Sequence, residues 1–442
     1  MHFCSFDHDG QQWHWRQEDE QFWSGRGRVV TDGSSRANLT LTPSRVELPG
    51  AKSAAGFLAE PDNQIRSRTR GQFLTHRPDQ ILGTLHSAFP KRAVSNSILT
   101  VLRGMPPSTM RAWQYHSTSS GIENSIKLNS IPLPQRKPEQ HLVRVLYAAL
   151  NPVDYKPAEV AFINHVMIPK PATPGIDFAG RIVTPAAGSS LKAGQLVFGT
   201  AGTSPFAAGA LREYATTEIT GTCAAPAGME LKDLATIGVG GETAYQSIVP
   251  HVKAGDSIFI NGGSGGTGVF GIQIAKALGC KVTTTCSTPN VALCRSLGAD
   301  VVIDYRTQNV LHTLKAGGQQ FSHVVDNVGG DWDLFWRCHE YSKPGTQYVF
   351  VGAAPSLNYA MNSLKVKVWP GALGGGRRKF VSILAQPVNT EMDRIAAWMQ
   401  EGKVKPVVDS TFAMEDVPDA FRKLKTGRAR GKVVVEVASE AP

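Results

Sequence analysis

The stretch of sequence that decides the fold is residues 257–279, SIFINGGSGGTGVFGIQIAKALG. Its first five residues are largely apolar and predict a buried strand, because short apolar runs bounded by turn residues are typical of parallel sheets. The apolar residues after Gly268 predict a helix, and Gly279 is the kind of residue that commonly ends one. The stretch therefore predicts a strand, a glycine-rich loop and a helix, in that order.

The loop carries the pattern Gly-x-Gly-x-x-Gly at Gly263, Gly265 and Gly268. In a strand–loop–helix unit, the first glycine permits the tight turn, the second lets a pyrophosphate approach the backbone, and the third lets the helix pack on the strand. Free N–H groups at the start of the helix point at the phosphates. The alternative is an ordinary glycine-rich loop, but the flanking elements favour a dinucleotide site that also includes Gly266 and Thr267.

From about residue 242 onward, strands and helices alternate in the predicted pattern. Strands that alternate with helices imply βαβ units and a doubly wound parallel sheet. Strands are predicted at Ser257–Asn261, Lys281–Cys286, Val301–Asp304, His323–Asp326 and Gln347–Val351, and helices at Gly268–Leu278, Val291–Leu297 and Trp332–Cys338. After Gly376, further strands and helices are predicted as far as Val437.

The chain upstream of residue 242 has a different pattern. Leu142–Ala149 reads as a strand, and the short β segments that follow are broken by Gly and Pro, which predicts a β-rich, barrel-like unit. Residues 1–109 lack regular periodicity and predict a low-order extension. Residues 80–121 contain no acidic residue, a composition typical of transit peptides, although acidic residues precede them. An alternative expectation is that Met110 is the natural start.

The composition excludes several classes of protein. The 442 residues carry 46 Lys and Arg against 36 Asp and Glu, a net charge of +10. Because no run of five basic residues occurs, scattered charge and an anionic cofactor explain this surplus better than nucleic acid does. The six cysteines are too sparse for a disulfide framework. No apolar run is long enough to span a membrane, so we expect no membrane association and a cytoplasmic location, with a mitochondrial one as the alternative.

The choice between NAD and NADP depends on the end of the second predicted strand, residues 283–290, TTTCSTPN. NAD sites carry an acidic residue at this position, and none is present here to repel a 2′-phosphate. Ser287 and Thr288 can donate hydrogen bonds to that phosphate, and Tyr305 and Arg306 follow the next strand. The pattern therefore favours NADPH. The alternative is that Ser287 and Thr288 only cap the helix that follows.

Four short stretches resemble the medium-chain dehydrogenase/reductase superfamily, specifically its zinc-free quinone oxidoreductase and enoyl-reductase-like branch. They are ALNPVDYK (149–156), PGIDFAG (174–180), GETAY (241–245) with the glycine loop, and GRARGKVV (427–434). The resemblance implies a GroES-like β-rich catalytic domain interrupted by a Rossmann domain. On this basis the catalytic domain comprises residues 110–242, completed by residues 386–442, and the Rossmann domain comprises residues 243–385.

The resemblance also bears on metal binding. In the zinc alcohol dehydrogenases of this superfamily, Cys, His and Cys hold the catalytic metal, and the matching positions here are Asn151, Ile176 and Val239. An amide and two aliphatic side chains do not bind zinc, so we expect no metal. Without a Lewis acid, the expected acceptor is a small electrophile that is already electron-poor, such as a quinone or an α,β-unsaturated carbonyl compound.

The resemblance places Asn151 and Lys156 beside the nicotinamide and the substrate. Asn151 would donate its amide N–H to the cofactor or the acceptor oxygen, and Lys156 would supply positive charge near a developing enolate. Tyr155 is a candidate proton donor, with a packing role as the alternative. Asp154 and Pro152 have a plainer alternative role, in which they hold the turn.

The same resemblance adds cofactor contacts. Thr243 matches a position near the nicotinamide, with a helix N-cap as the alternative. Gly352 and Ala353 would let the nicotinamide ring approach the backbone, and Lys432 matches a cofactor contact in the tail, with a surface lysine as the alternative. Several relatives have a lysine for the 2′-phosphate where this chain has Asn290, which weakens the preference for NADPH.

Three functions remain open at this point. The first is NADPH-dependent, metal-independent reduction of a quinone or an enone. The second is a trans-acting enoyl reductase or tailoring reductase of secondary metabolism, with the same residues and a different acceptor. The third is an NADP(H)-binding interaction or RNA-binding protein with little catalysis. We expect loops 162–171, 200–210 and 357–376 to line the substrate pocket, and the resemblance implies a homodimer through the edge of the Rossmann sheet.

Overall fold

The structure is a computed structural model that describes residues 107–201, 209–316, 321–351, 357–369 and 375–439, together with short strands within the first 76 residues. Two compact units divide the chain, Met1–Met110 and Arg111–Pro442. No helix in the described part of the chain is long and apolar enough to cross a membrane.

The first unit contains short antiparallel strands. Two sheets have three strands each and one has two: Phe3–Phe6, Gln12–Arg16 and Phe22–Arg26; Gly56–Ala59, Ile65–Thr69 and Gln72–His76; and Thr31–Asp32 with Arg36–Ala37. The prediction that residues 1–109 form a low-order extension falls mostly on residues outside the described ones.

A seven-stranded sheet forms the GroES-like part of the second unit. Its central strand, Gln140–Leu150, is buried along most of its length because its sequence, QHLVRVLYAAL, is apolar on both faces. Asp177–Thr184 pairs antiparallel with one edge of this strand, and Tyr214–Glu218 and Lys432–Glu436 share the other edge. The remaining strands are Leu196–Thr200, Thr222–Ala224 and Val408–Ala413.

The last strand of the chain returns to this sheet. Lys432–Glu436 pairs antiparallel with residues 147–150 and parallel with Val408–Ala413. The helix Val417–Lys425 precedes it and buries its apolar side chains in the core of the sheet. The other elements of this part are the strands Thr109–Gln114 and Lys127–Pro132 and the helices Ile122–Ser125, Ala161–Val166 and Leu231–Leu234.

Six parallel strands form the second sheet. From one edge to the other they are Val301–Asp304, Lys281–Cys286, Ser257–Asn261, Phe321–Asp326, Ser342–Val351 and Lys379–Ile383. In chain order this is 3-2-1-4-5-6, the order of a doubly wound dinucleotide-binding sheet. The predicted fold class, a GroES-like domain with a Rossmann domain, is confirmed. In such sheets ligands bind where the strand order reverses, here between Ser257–Asn261 and Phe321–Asp326.

Helices flank the parallel sheet. They are Glu242–Ile248, Gly268–Ala277, Val291–Ser296, Val310–Ala316, Asp333–Trp336, Leu357–Val368 and Asn389–Gln400. Gly279 has φ +78°, a left-handed conformation that favours glycine, which agrees with its predicted role as a helix stop.

Helices replace much of two segments that we expected to be pocket loops. Ala161–Val166 overlaps the first segment, and Leu357–Val368 occupies more than half of the third. The twelve residues of the second helix include neither Gly nor Pro, and Tyr359 and Val366 pack against the core of the Rossmann domain. The expectation of a loop is therefore wrong there, because apolar side chains at helical spacing outweigh the surrounding glycines.

Candidate active site

The glycine loop begins with a turn at Gly262. Gly262 has φ +82°, in the left-handed region that favours glycine, and its N–H donates to Thr285 Oγ1 at 2.8 Å. Gly263, the residue that the pattern predicted for the turn, does not have a positive φ. It supplies space instead, because a Cβ on Gly263 would lie 2.1 Å from Thr284 Oγ1. The predicted turn is therefore wrong by one residue.

The other loop glycines fit a dinucleotide. A Cβ on Gly268 would lie 2.2 Å from the carbonyl oxygen of Gly262, so only glycine lets the helix Gly268–Ala277 start so close to the strand. Thr267 directly precedes this helix. Around Gly265 the space is open, since a Cβ there would meet only the Gly262 oxygen, at 3.7 Å. A helix N-terminus beside an open loop made mostly of glycine is the cradle that a pyrophosphate needs.

A carboxylate reaches the end of the second Rossmann strand from the neighbouring strand. Strand pairing sets Asp304 beside Cys286, and Thr288 Oγ1 donates to Asp304 Oδ2 at 2.5 Å. This hydrogen bond holds the pKa of Asp304 below its usual value. The helices that follow Cys286 have no side-chain cap, so the capping alternative for Ser287 and Thr288 is wrong. The sequence analysis missed Asp304 because it looked for an acidic residue only on the strand that ends at Cys286, and considered only Tyr305 and Arg306 beside the next strand.

Ser287 and Tyr305 lie at the same end of the sheet. Ser287 is half-buried, and the N–H of Tyr305 donates to the Cys286 carbonyl at 3.1 Å while its side chain remains 52% exposed. Asn290 is buried, and its Nδ2 donates to Ser264 Oγ at 3.0 Å. Asn290 therefore binds the glycine loop itself, and Ser287 and Tyr305 retain surface that a cofactor can contact.

Residues 151–156 directly follow the central strand of the GroES-like sheet, and we call them the Asn151 turn. Pro152–Asp154 is a 3-10 helix, and the N–H of Asn151 donates to Asp154 Oδ2 at 2.6 Å. Burial and, to a smaller extent, the nearby Asp177 raise the pKa of Asp154 to about 7, although the hydrogen bond from the Asn151 N–H acts in the opposite direction. Asp154 thus holds the turn through a backbone hydrogen bond, as the plainer alternative expected.

The side-chain amide of Asn151 is fully engaged within the protein. Its Nδ2 donates to Asp177 Oδ2 at 2.9 Å and to the Ala149 carbonyl at 3.3 Å. Its Oδ1 accepts a hydrogen bond from Lys432 Nζ at 2.5 Å. Asn151 therefore links the strand end to Asp177 and Lys432, and an acceptor oxygen would have to replace one of these partners to bind the amide.

Lys432 is buried and paired. Its side chain is 1% exposed, and its ammonium forms an ion pair with Asp177 Oδ2 at 2.8 Å. Its Cδ lies 3.3 Å from where a Cβ on Gly266 would be, so its stem runs beside the glycine loop. This burial shows that the surface-lysine alternative is wrong.

Asp177 connects the three positions that match metal ligands in the zinc alcohol dehydrogenases. It directly follows Ile176, it accepts from Asn151, and its Oδ1 accepts the N–H of Val239 at 2.7 Å. Val239 lies in a π-helix, Ile237–Gly241, which the sequence analysis did not predict. Single π-turns are frequent at functional sites, and this one aims a backbone N–H at the buried carboxylate.

Lys156 and Tyr155 end the Asn151 turn. Lys156 is half-buried, burial lowers its pKa, and it makes no ion pair with any carboxylate in the described part of the chain. Tyr155 packs against the core of the GroES-like sheet, and Lys425 Nζ lies 5.8 Å from its ring centre. Burial raises the pKa of the Tyr155 phenol, so it is a weaker acid than a free phenol.

Thr243 is buried in the helix Glu242–Ile248, whose cap position is Gly241, so the N-cap alternative for Thr243 is wrong.

The neighbouring Glu242 is also buried, and it accepts the N–H of Val388 at 2.6 Å. Burial raises the pKa of Glu242 to about 8. Glu242 thereby joins the two segments through which the chain enters and leaves the Rossmann domain. Gly352 and Ala353 lie outside the described residues.

Comparison with family models assigns residues 137–251 to the alcohol dehydrogenase GroES-like domain and residues 297–435 to the zinc-binding dehydrogenases. Trans-enoyl reductase pgmF of Aspergillus terreus is 47% identical over 347 residues, which cover 75% of this chain and 97% of that protein. The chain belongs to the medium-chain dehydrogenase/reductase superfamily. As a member, it is an oxidoreductase that transfers hydride, and its cofactor is a nicotinamide nucleotide.

Other medium-chain dehydrogenases/reductases match over similar lengths. The 2-methylene-furan-3-one reductase of Solanum lycopersicum is 31% identical over 406 residues and covers 88% of this chain and 90% of that protein. The quinone oxidoreductase from Coxiella burnetii is 26% identical, with a TM-score of 0.65 over 75% of this chain and 100% of that chain.

One of the two matching family models is described as zinc-binding, but the residues of this chain do not fit a zinc ion. The three matching positions hold Asn151, Ile176 and Val239, and the carboxylate among them, Asp177, is already paired with Lys432. Zinc needs thiolate, imidazole or carboxylate ligands in a tetrahedral set, and this group of side chains offers none that is uncommitted. We therefore derive no catalytic step through a metal.

Proposed function

We propose that the chain uses NADPH to reduce the carbon–carbon double bond of an α,β-unsaturated carbonyl compound, and that a quinone can replace this acceptor. The contrast between two lysines carries the proposal. Lys432 is neutralised inside the protein by Asp177. Lys156 is half-buried and forms no ion pair with a carboxylate among the described residues. Its positive charge is therefore available to a substrate.

The chemistry of a conjugated acceptor suits such a charge. When hydride adds to the β carbon of the acceptor, negative charge develops on the carbonyl oxygen. An ammonium held in a partly desolvated site stabilises that charge better than one in water does. In this proposal Tyr155, the preceding residue, returns a proton to the enolate directly or through water. The nicotinamide cofactor supplies the hydride when it is bound.

The end of the second Rossmann strand supports NADPH as the hydride donor. Ser287 offers a hydroxyl there, and Tyr305 and Arg306 are both exposed. The negative charge of Asp304 would repel a 2′-phosphate. Its carboxylate, however, already accepts a hydrogen bond from Thr288 and another, at 3.0 Å, from the backbone N–H of Arg306. The balance favours NADPH because no carboxylate stands on the second strand itself.

An enoyl thioester carried by another protein is the second candidate acceptor. The relative with 47% identity is named a trans-enoyl reductase, and a Penicillium oxalicum protein that is 28% identical has the same name. The double bond of an enoyl thioester is conjugated to a carbonyl, so the roles proposed for Lys156 and Tyr155 would be unchanged. Only the surface around the acceptor would differ.

An acceptor screen tests the proposal. The purified chain would be given NADPH or NADH with an enone, an enoyl thioester, a quinone and a saturated ketone, and oxidation would be followed at 340 nm, where reduced nicotinamides absorb. We expect NADPH oxidation with at least one conjugated acceptor, slower oxidation of NADH, and no change when a chelator is added. Reduction of the saturated ketone alone, or activity that requires added zinc, would contradict the proposal.

We also propose a homodimer through the edge of the Rossmann sheet. Lys379–Ile383 is one of the two edge strands of this sheet, and among the described residues it pairs on one side only, with Ser342–Val351. Leu384, which follows it, is 76% exposed. Light scattering should give the mass of a dimer, and Leu384→Glu should give that of a monomer. A monomeric wild-type chain would contradict this proposal without affecting the proposed reaction.

A further inference from the structure

We propose that Lys432 is a positioning residue, and that its buried ion pair with Asp177 couples the glycine loop to the Asn151 turn. The proposal rests on the proposed function, because it assumes that a nicotinamide nucleotide binds the loop and that the turn acts on the acceptor. It assigns Lys432 a role other than contact with the cofactor. A shift of the loop on cofactor binding would move the Lys432 ammonium, and the ammonium would in turn shift the residues that follow Asn151.

Burying an ion pair costs free energy, and this cost argues that the pair does more than fill space. The side chains of Lys432 and Asp177 are 1% and 0% exposed. A charge removed from water this completely destabilises the fold unless it is paired and hydrogen-bonded. Here the pair is satisfied: the ammonium contacts Asp177 Oδ2 and Asn151 Oδ1, and Asp177 Oδ1 accepts the N–H of Val239. A fully satisfied buried network favours one arrangement of its members over others.

Lys432 is bound to the glycine loop through its neighbour Gly431. The N–H of Gly431 donates to the Ser264 carbonyl at 2.9 Å, and Gly431 forms a parallel bridge with Gly265. The lysine stem then passes Gly266, close to where a Cβ would lie. A shift of the loop on cofactor binding would therefore move the backbone that precedes the ammonium.

On its other side, Lys432 is bound to the strand that leads into the Asn151 turn. Val433, the next residue, pairs with Leu150, and the ammonium reaches past this pair to Asn151 Oδ1. The N–H of Asn151 in turn holds Asp154. The turn then ends in Tyr155 and Lys156. A path of alternating hydrogen bonds and backbone segments thus runs from the loop to the proposed catalytic residues.

A double variant tests this coupling without leaving a buried charge unpaired. Lys432→Met alone would leave Asp177 charged and buried, which can prevent folding. The double variant Lys432→Met/Asp177→Asn removes both charges and keeps an oxygen for the N–H of Val239. Lys276→Met is the matched control, because Lys276 forms a half-exposed ion pair with Asp300 at 2.9 Å, away from the loop.

The probe is ADP-ribose 2′-phosphate, which carries the pyrophosphate but has no nicotinamide ring to cover the Asn151 turn. Hydrogen exchange of a peptide spanning residues 147–158 would be measured with and without it. In the wild type and in Lys276→Met, we expect the probe to slow exchange at least about threefold. In the folded double variant the slowing should disappear, although the probe still binds with an affinity within about threefold of wild type.

Three outcomes overturn the proposal. If the double variant still shows the slowing, the ion pair only stabilises the fold. If it loses affinity for the probe by about tenfold or more, Lys432 is a cofactor contact after all. Absence of any slowing in the wild type, with the probe bound, also overturns it. Failure of the proposed function would show differently, because the wild type would then bind the probe and reduce no acceptor.

Discussion

The glycine loop and the Asn151 turn are both held by the tail segment Gly431–Lys432, yet they are built in opposite ways. The loop depends on side chains that are absent: Gly263 and Gly268 leave no room for a Cβ. The turn depends on charges that are buried, chiefly Lys432 and its partner. A loop of the first kind has a recognisable sequence pattern, whereas a buried ion pair between residues far apart in the chain has none.

The largest expected effect is at the loop. Gly268→Ala would set a Cβ 2.2 Å from the Gly262 carbonyl oxygen and 2.7 Å from Gly263 Cα, so the helix would have to move away from the strand. Overpacking of this kind costs about 3 kcal/mol. We expect the free energy of unfolding in urea to fall by that amount, and calorimetry to detect no NADPH binding.

Gly265→Ala is the matched control for that variant. Its Cβ would lie 3.7 Å from the nearest atom, so the free energy of unfolding should change by less than about 1 kcal/mol. The same Cβ would enter the space proposed for the pyrophosphate, and NADPH affinity should fall about tenfold. If both variants were equally stable and bound NADPH equally well, the steric account of the loop would be wrong.

The next effect is at the Asn151 turn. Lys156→Met should lower kcat about 100-fold, as the loss of one group that stabilises transition-state charge commonly does. The melting temperature should hardly change, because this ammonium is paired with no carboxylate among the described residues. Steady-state kinetics and thermal melts measure the two effects.

Lys156→Arg supplies the control and a pH test. Burial lowers the pKa of Lys156 from its usual 10.5, so the wild-type kcat should fall with rising pH below that value, as the ammonium loses its proton. Arginine stays charged, so the alkaline fall should move to higher pH in the variant while much of the rate remains. An unchanged pH profile would remove Lys156 from the proposed mechanism.

A smaller effect concerns the buried Glu242. Its pKa is raised to about 8 in the folded chain from the usual 4.5, so the native state holds a proton that the unfolded chain releases between these values. Stability from this group is present below pH 4.5 and is lost as the pH rises to about 8. Glu242→Gln, which keeps an oxygen for Val388, should flatten this part of the pH dependence of urea unfolding. A profile as steep as that of the wild type would assign the pH dependence to other groups.

The smallest expected effect is at Asp304. Asp304→Asn removes the negative charge beside Thr288, so the ratio of kcat/KM for NADPH to that for NADH should rise about threefold to fivefold. Steady-state kinetics with both nucleotides measure this ratio. A fall in the ratio would show that Asp304 helps to bind NADPH, contrary to its charge.

Local patterns predicted the Rossmann half well. The residues from Ser257 to Gly279 form the predicted strand, loop and helix, because each step depends on residues adjacent in the chain. The one error in the loop, the turn at Gly262, is a shift of a single position within a pair of glycines.

Contacts between distant residues could not be predicted in the same way. Lys432 and Asp177 are 255 positions apart, and Thr288 meets Asp304 only because parallel strands bring them together. The π-helix that aims Val239 at Asp177 has no propensity pattern of its own. The resemblance to a family named candidate positions, and the partner of each described side chain became evident only from the three-dimensional arrangement.

The most direct test of the central claim is to follow the transferred hydride. The wild-type chain would be given an enone and NADPH deuterated at C4 of the nicotinamide, and the product would be analysed by NMR. We expect a saturated ketone with deuterium at the β carbon and a solvent proton at the α carbon. Deuterium on the carbinol carbon of an allylic alcohol, the product of carbonyl reduction, would contradict it.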